Sequence, residues 1–93
     1  MGNRVGVLLI GAAGAVASTV VAGVALMRHG APRFGMITEG ALGAAVGACA
    51  LEDMVFGGWD LKGGDLYEAA LTHGVIPRDQ LATVERELRA LRP

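Results

Sequence analysis

The sequence predicts a small α/β fold with an incomplete parallel sheet. Residues 4–10 form a short apolar run, Gly11 and Gly14 follow directly, and a longer apolar stretch comes next. This order is typical of a strand, a tight turn and a helix. A second apolar run at residues 53–56 predicts a second strand, and two helical patterns follow it, so we expect the order β-α-β-α-α. Because 93 residues make about one small domain, the chain has too few strands for a complete sheet covered on both faces.

The first helix is predicted to begin near Gly14 or Ala15 and to end by His29. Gly30 follows as a residue that can adopt a left-handed conformation and stop the helix. The helix carries apolar residues on more than one face, so we expect it to be buried between the sheet and another layer. These residues are Val16, Val20, Val21, Val24 and Met27.

The segment between the first helix and the second strand has weaker patterns. Residues 34–38 are interpreted as a short extended segment. Residues 39–50 are rich in Ala and Gly, and they are interpreted as a loop with one helical stretch around residues 41–51. Residues 57–60 are expected to end the second strand.

The last third of the chain predicts two helices. Asp65 and Glu68 have the spacing of a capping box, in which Asp65 accepts from the third helical amide and Glu68 reaches back. This helix is expected to run to about His73, where Gly74 stops it. Pro77 then begins another helix in its first turn. Apolar residues at three- and four-residue steps predict an amphipathic surface helix, and they are Leu81, Val84, Leu88 and Leu91.

Composition and charge argue against several classes of function. The formal net charge is −1, and no stripe of Lys and Arg favours nucleic acid. Cys49 is the single cysteine, so an internal disulfide is excluded, and we interpret it as a small buried hydrophobe. No metal-ligand spacing and no catalytic set of side chains can be assembled from this sequence. His29 and His73 are interpreted as helix-end residues, where an imidazolium is favourable.

The uncharged stretch of residues 5–27 supports an alternative interpretation. Arg4 and Arg28 flank it, and its length is enough to span a bilayer. Many of its residues are Gly and Ala, which contribute little to membrane insertion, and the glycines cluster where a turn is expected. The region also has the pattern of a secretory leader, with a small-x-small cleavage motif at residues 15–17. A small membrane-anchored or secreted protein without enzymatic activity is therefore the alternative.

The glycine turn has the residue types of a phosphate-binding turn. A strand, a glycine turn and a helix in this order aim backbone N–H groups and the positive end of the helix at a phosphate. Gly11 supplies the sharp exit from the strand, and Ala17 takes the third position of the G-x-G-x-x-A spacing. Ala13 takes the second position, with Gly14 one residue later. The pattern is a variant, and it is weak by itself.

Asp60 is the second candidate binding residue. In dinucleotide-binding folds an acidic residue after the second strand accepts hydrogen bonds from ribose hydroxyls, and Asp60 follows the predicted strand as that role requires. It lies about 50 residues after Gly11, where about 20 is usual, so residues 30–52 must form an excursion. Without further information, Asp60 is equally well interpreted as a turn or helix-cap residue.

Three stretches of the chain resemble one enzyme family. Residues 58–61 (Gly-Trp-Asp-Leu) and residues 65–70 (Asp-Leu-Tyr-Glu-Ala-Ala) closely resemble the inositol-3-phosphate synthases, and so do residues 9–19 with their two glycines. Residues 34–38 are similar to the family's short segment between these blocks. The stretches occur in the family's order and cover nearly the whole chain, although residues 39–52 match poorly. The tryptophan–aspartate block is the specific part of the resemblance.

The resemblance implies an NAD-binding region of Rossmann type. The family's pyrophosphate loop falls on Ala13, Gly14, Ala15 and Val16, and its ribose-side acid falls on Asp60. Many members carry asparagines where this chain has Ala15 and Val16. Side-chain hydrogen bonds to the cofactor would be lost there, which leaves backbone N–H groups to hold it.

The resemblance also implies what the complete enzyme does. The family converts glucose 6-phosphate to an inositol phosphate, using bound NAD for an internal oxidation and reduction and lysines from a later substrate domain. Lys62 is the single lysine of this chain. We therefore expect residues 1–93 to be the N-terminal part of the NAD-binding domain, cytoplasmic, without membrane or nucleic-acid partners, and inactive alone. The complete enzyme is expected to be a homo-oligomer. A weaker alternative is a nucleotide-binding subunit that completes its sheet with another polypeptide.

Overall fold

The computed structural model describes residues 4–33, 45, 47, 49–61 and 63–93. Within them the chain forms a mixed α/β fold, which confirms the predicted class. The elements in chain order are β1 (Val5–Ile10), α1 (Ala15–Arg28), a short 3-10 helix (Leu51–Asp53), β2 (Met54–Trp59), α2 (Leu66–His73), α3 (Arg78–Ala82) and α4 (Glu85–Arg89). The extended segment predicted at residues 34–38, Lys62 and most of the loop predicted at residues 39–50 lie outside the described residues.

The sheet consists of two parallel strands. β1 pairs with β2 in a register that runs from Val5 opposite Met54 to Ile10 opposite Trp59. The strand predicted at residues 53–56 was therefore too short, because Gly57 and Gly58 belong to the strand and not to a turn. A Cβ atom on Gly58 would lie 2.0 Å from the carbonyl oxygen of Leu9, so glycine lets the two backbones approach at this point.

α1 begins at Ala15, as the sequence predicted, and ends at Arg28. Gly30 has a φ of 102°, so the expected glycine stop is confirmed. The prediction that both sides of the helix are buried is wrong for the described residues: Val21 is buried, whereas Val16 is 79% exposed and Val20 is 47% exposed. The reason is that only one side of α1 faces the C-terminal helices, and no described element covers the other side.

The hydrophobic core lies between α1 and the three C-terminal helices. Leu9 and Phe56 pack against it from one face of the sheet. Its small residues allow α1 to pack closely on α2, and larger aliphatic side chains from α3 and α4 fill the remaining space. The core residues are Ala12, Val21, Ala22, Ala25, Leu66, Tyr67, Ala70, Leu81, Val84 and Leu88.

The opposite face of the sheet is exposed. β1 was predicted to be buried, but Leu8 is 66% exposed and Ile10 is 90% exposed, and on β2 Trp59 is 60% exposed. Parallel sheets in complete α/β domains are covered on both faces. The two strands therefore form an incomplete sheet, as the sequence predicted, and one of its faces lacks a covering layer among the described residues.

The segment that leads into β2 is hydrogen-bonded to the last residue of α1. Arg28 donates from Nε to the carbonyl oxygen of Leu51 at 2.9 Å, and its Nη2 donates to the carbonyl oxygen of Met54. Leu51 is buried, whereas Cys49 is only partly buried. The expectation of a buried cysteine was therefore wrong, and the buried side chain at this point of the chain is that of Leu51.

The C-terminal helices begin and end largely as predicted. Asp65 caps α2 by accepting from the Glu68 amide at 2.9 Å, and Gly74 ends the helix with a φ of 66°. Pro77 is the N-cap of α3, so the helix begins at Arg78, one residue later than predicted. The predicted single amphipathic helix is wrong, because the chain forms α3 and α4 with a break at residues 83–84.

Local hydrogen bonds explain the break between α3 and α4. The Thr83 hydroxyl donates to the carbonyl oxygen of Gln80 at 2.7 Å, and the Val84 amide donates to the carbonyl oxygen of Leu81, three residues back. Such bonds compete with the regular helical pattern. The predicted apolar face nevertheless holds, since Leu81, Val84 and Leu88 are at most 1% exposed.

Residues 5–27 are divided between β1, a turn and α1 and do not form one helix. None of the helices in the described parts of the chain has the length and apolar character needed to cross a membrane. The proposal that these residues act as a leader stays a prediction.

Candidate functional site

The turn between β1 and α1 lies beside the end of β2. The backbone amides of Gly11 and Ala12 both donate to the carbonyl oxygen of Trp59, at 2.8 and 3.1 Å. Gly11 has a φ of 77°, a conformation that glycine adopts without a steric penalty. The chain therefore reverses directly after β1, and the last residue of β2 holds the reversal in place.

Gly14 supplies the close approach inside the turn. Its amide donates to the carbonyl oxygen of Gly11 at 2.9 Å, and a Cβ atom on Gly14 would lie only 3.1 Å from that oxygen. Ala13, the residue at the second position of the expected spacing, keeps its side chain. Two residues therefore separate Gly11 from Gly14 in this turn, where the G-x-G spacing has one.

The Asp60 carboxylate contacts the turn directly. Its Oδ2 accepts a hydrogen bond from the Ala13 amide at 2.9 Å, although the two residues are 47 positions apart. Hydrogen bonds to an ionised acceptor are stronger than those between neutral groups. Asp60 thus follows the second strand, as the sequence predicted, and its carboxylate lies beside the glycine turn, whereas its role in ribose binding stays a prediction.

His73 is the residue of this region that sequence reasoning missed. Its Nε2 lies 2.9 Å from the carbonyl oxygen of Ala13, so both backbone polar groups of Ala13 have a partner outside the turn. The sequence identified His73 only as a helix-end residue. No local pattern could have indicated this contact, because the two residues are 60 positions apart.

The first turn of α1 presents open backbone donors. The amides of Gly11, Ala12, Ala13 and Gly14 all have acceptors within the protein. The amides of residues 15–17 begin the helix and have no intrahelical acceptor. Gly14 provides no side-chain cap, and the first turn contains no acidic residue. Within the described parts of the chain, this end of α1 therefore combines N–H groups that have no protein acceptor with the positive end of the helix dipole.

A cleft of about 630 Å³ adjoins the turn at the carboxyl ends of both strands, and its lining is mostly apolar. In open α/β sheets, ligands bind in the crevice outside these strand ends. The cleft is open to solvent, because Ile10 is 90% exposed and Trp59 is 60% exposed. The residues that line the cleft are Ile10, Gly11, Trp59, Asp60 and Leu61.

Two inositol-3-phosphate synthases are similar to this chain, one in sequence and one in structure. The chain is 37% identical to inositol-3-phosphate synthase 1 of Bacteroides thetaiotaomicron over 103 aligned positions, which cover 98% of this chain. The chain is a relative of the inositol-3-phosphate synthases. Its structure superimposes on the N-terminal part of the Caenorhabditis elegans inositol-3-phosphate synthase with a TM-score of 0.81 over the whole chain, at 21% identity. The resemblance and the partial Rossmann-like fold are therefore confirmed.

The match covers only part of each synthase. The chain spans 24% of the bacterial enzyme and 24% of the nematode enzyme. No protein-family model matches the sequence. The comparisons thus establish the similarity to these synthases and the fold of the matched part.

Proposed function

We propose that this chain is the NAD-binding N-terminal portion of an inositol-3-phosphate synthase, and that the turn after β1 holds the pyrophosphate of NAD. The observation that carries the proposal is the contact between the Asp60 carboxylate and the Ala13 amide. This contact brings the glycine turn and Asp60 together at the carboxyl ends of the strands, although they lie far apart in a sequence that is similar to the synthases. The helix end and the cleft beside them support the same function.

The pyrophosphate would bind at the first turn of α1. The backbone amides of Ala15 and Val16 are open donors there, and both residues are exposed. Gly11 and Gly14 shape the turn, and Ala13 keeps it close to β2. Because Ala15 and Val16 lack polar side chains, we propose that backbone N–H groups alone hold the phosphates.

Asp60 would serve both the turn and the nucleotide. An ionised carboxylate has two acceptor oxygens, and the hydrogen bond from Ala13 to Oδ2 keeps this carboxylate beside the turn, where a bound nucleotide would lie. We propose that the same carboxylate accepts from the hydroxyls of the adenosine ribose. The neighbouring apolar residues Trp59 and Leu61 would then border the adenine.

The complete synthase would carry out the chemistry. In that family NAD, when bound, takes a hydride from glucose 6-phosphate and returns it after ring closure. We propose that this chain contributes cofactor binding and that the catalytic lysines belong to the remaining three quarters of a synthase. We also propose that the complete enzyme is a cytoplasmic homo-oligomer that acts in inositol and phospholipid biosynthesis. The exposed face of the sheet supports a partial domain of this kind, since complete parallel sheets are covered on both faces.

Calorimetric titration of NAD into the 93-residue chain and its Asp60→Ala variant tests the proposal. A hydrogen bond to a charged group contributes about 1.5–3 kcal/mol, so we expect the dissociation constant to rise by about 10- to 150-fold. Asp53→Ala is the matched control, because Asp53 precedes the other end of β2, about 20 Å along the strand. Equal NAD binding by both variants, or no saturable binding by the parent chain, would contradict the proposal.

A further inference from the structure

We infer that His73 is a positioning residue for the dinucleotide turn, an inference that rests on the proposed function of that turn. Its Nε2 lies 2.9 Å from the carbonyl oxygen of Ala13. A carbonyl oxygen only accepts, so the imidazole nitrogen must carry the proton. Both the neutral tautomer protonated at Nε2 and the imidazolium satisfy this contact.

The contact fixes the peptide unit that leads into the open donors. In the unit between Ala13 and Gly14, the carbonyl oxygen accepts from His73 and the amide donates to Gly11 at 2.9 Å. The preceding unit is held as well, since the Ala13 amide donates to Asp60. A flip of the Ala13–Gly14 unit would break two hydrogen bonds at once. His73 therefore holds the orientation of the backbone immediately before the first-turn amides of α1.

His73 is itself carried by a firmly packed element. It is the last residue of α2, whose residues Leu66, Tyr67 and Ala70 are buried against α1. Gly74, with its left-handed backbone, ends the helix directly after it. The turn is thus held from one side by β2 through Asp60 and from the other side by α2 through His73. A side chain on a packed helix restricts a turn more than a side chain on a loop would.

Hydrogen exchange measured by NMR on the nucleotide-free, full 93-residue chain tests the inference. In His73→Ala we expect the Gly14 and Ala13 amides to exchange about three- to ten-fold faster, which corresponds to one lost ordinary hydrogen bond. In His73→Gln we expect rates within about two-fold of the parent, because the Gln amide nitrogen is a donor of similar reach. The Ala22 amide in the core should exchange at an unchanged rate in both variants.

His29→Ala is the matched control. His29 is also an exposed helix-end histidine with a side-chain partner, Glu87, but it lies at the far end of the 14-residue helix α1, about 20 Å from the turn. Its loss should leave the exchange of the Gly14 amide unchanged. Unchanged exchange at Gly14 in His73→Ala, equal exchange in the Ala and Gln variants, or faster exchange at Ala22 as well would each overturn the positioning role.

A parallel NAD titration separates this inference from the function on which it rests. If NAD binds, His73→Ala should weaken it about three- to ten-fold, and His73→Gln should restore it. In one outcome the exchange rates follow the expected pattern while the parent chain binds no NAD. That result would overturn the cofactor role of the turn and leave the positioning role of His73 standing. NAD binding that is insensitive to His73 would overturn the inference and leave the proposed function standing.

Discussion

Replacing Gly58 by Ala tests the contact on which the end of the sheet depends. The new Cβ atom would lie 2.0 Å from the carbonyl oxygen of Leu9, and 2.9 and 3.0 Å from its carbonyl carbon and amide nitrogen. All three atoms belong to the backbone, so no side chain can rotate away. Restoring an ordinary contact of about 3.4 Å requires β1 and β2 to separate by more than 1 Å, which breaks hydrogen bonds of about 2.9 Å.

The size of the effect follows from the bonds at this end of the sheet. Leu9 pairs with Gly58 and Ile10 pairs with Trp59, so about two ladder bonds would be lost at about 1 kcal/mol each. The Trp59 carbonyl oxygen also accepts from Gly11 and Ala12, and these bonds would weaken with it. We expect a loss of about 2–4 kcal/mol in the free energy of unfolding, which lowers Tm by about 10 °C or more in a domain of this size.

Gly57→Ala is the matched control for this measurement. Its Cβ atom would meet only Cδ2 of Leu8, at the ordinary distance of 3.5 Å. We therefore expect its stability to lie within about 0.5 kcal/mol of the parent chain. Urea unfolding followed by far-ultraviolet circular dichroism compares the two variants. Equal stability of Gly58→Ala and Gly57→Ala would refute the reasoning about the close approach.

Two further predictions concern α2 and catalysis. Asp65→Ala should lower the free energy of unfolding by about 1–2 kcal/mol, because it removes the helix cap and leaves Arg89 without one carboxylate partner at 3.2 Å. Asp65→Asn should retain most of the cap, so urea unfolding should show a smaller loss for this variant. An equal loss of stability in both variants would contradict the role of the cap. The purified 93-residue chain should not form inositol phosphate from glucose 6-phosphate, as measured by product detection after incubation with NAD, and any turnover above a blank would contradict the proposed division of roles.

The sequence predicted the elements whose signals are local. Gly11 and Gly14 after an apolar run predicted the strand, turn and helix, and Asp65 with Gly74 predicted both ends of α2. The order of Asp60 after the second strand, together with the family resemblance, identified the residue that contacts the turn. The predictions of the turn and of α2 depend on residues that lie close together in the chain, whereas that of Asp60 also needed the family resemblance.

Two of the sequence's failures depend on contacts between distant residues, and a third depends on local hydrogen bonds that an apolar pattern does not reveal. Gly57 and Gly58 suggest a turn locally, but in the fold they allow a close approach to β1. The apolar period through Leu81, Val84 and Leu88 continues across the break between α3 and α4, so the period alone could not show it. His73 was missed because its partner lies far away in the sequence.

The most direct test of the central claim is an NMR titration of the isotope-labelled chain with NAD. If the turn holds the pyrophosphate, the amide resonances of Ala15 and Val16 should shift the most, because their N–H groups would gain an anionic acceptor. The resonances of Gly11 and Gly14 should shift less, because their amides keep their partners within the turn. Shifts that are largest on α3 and α4, or that do not saturate with NAD, would contradict the account.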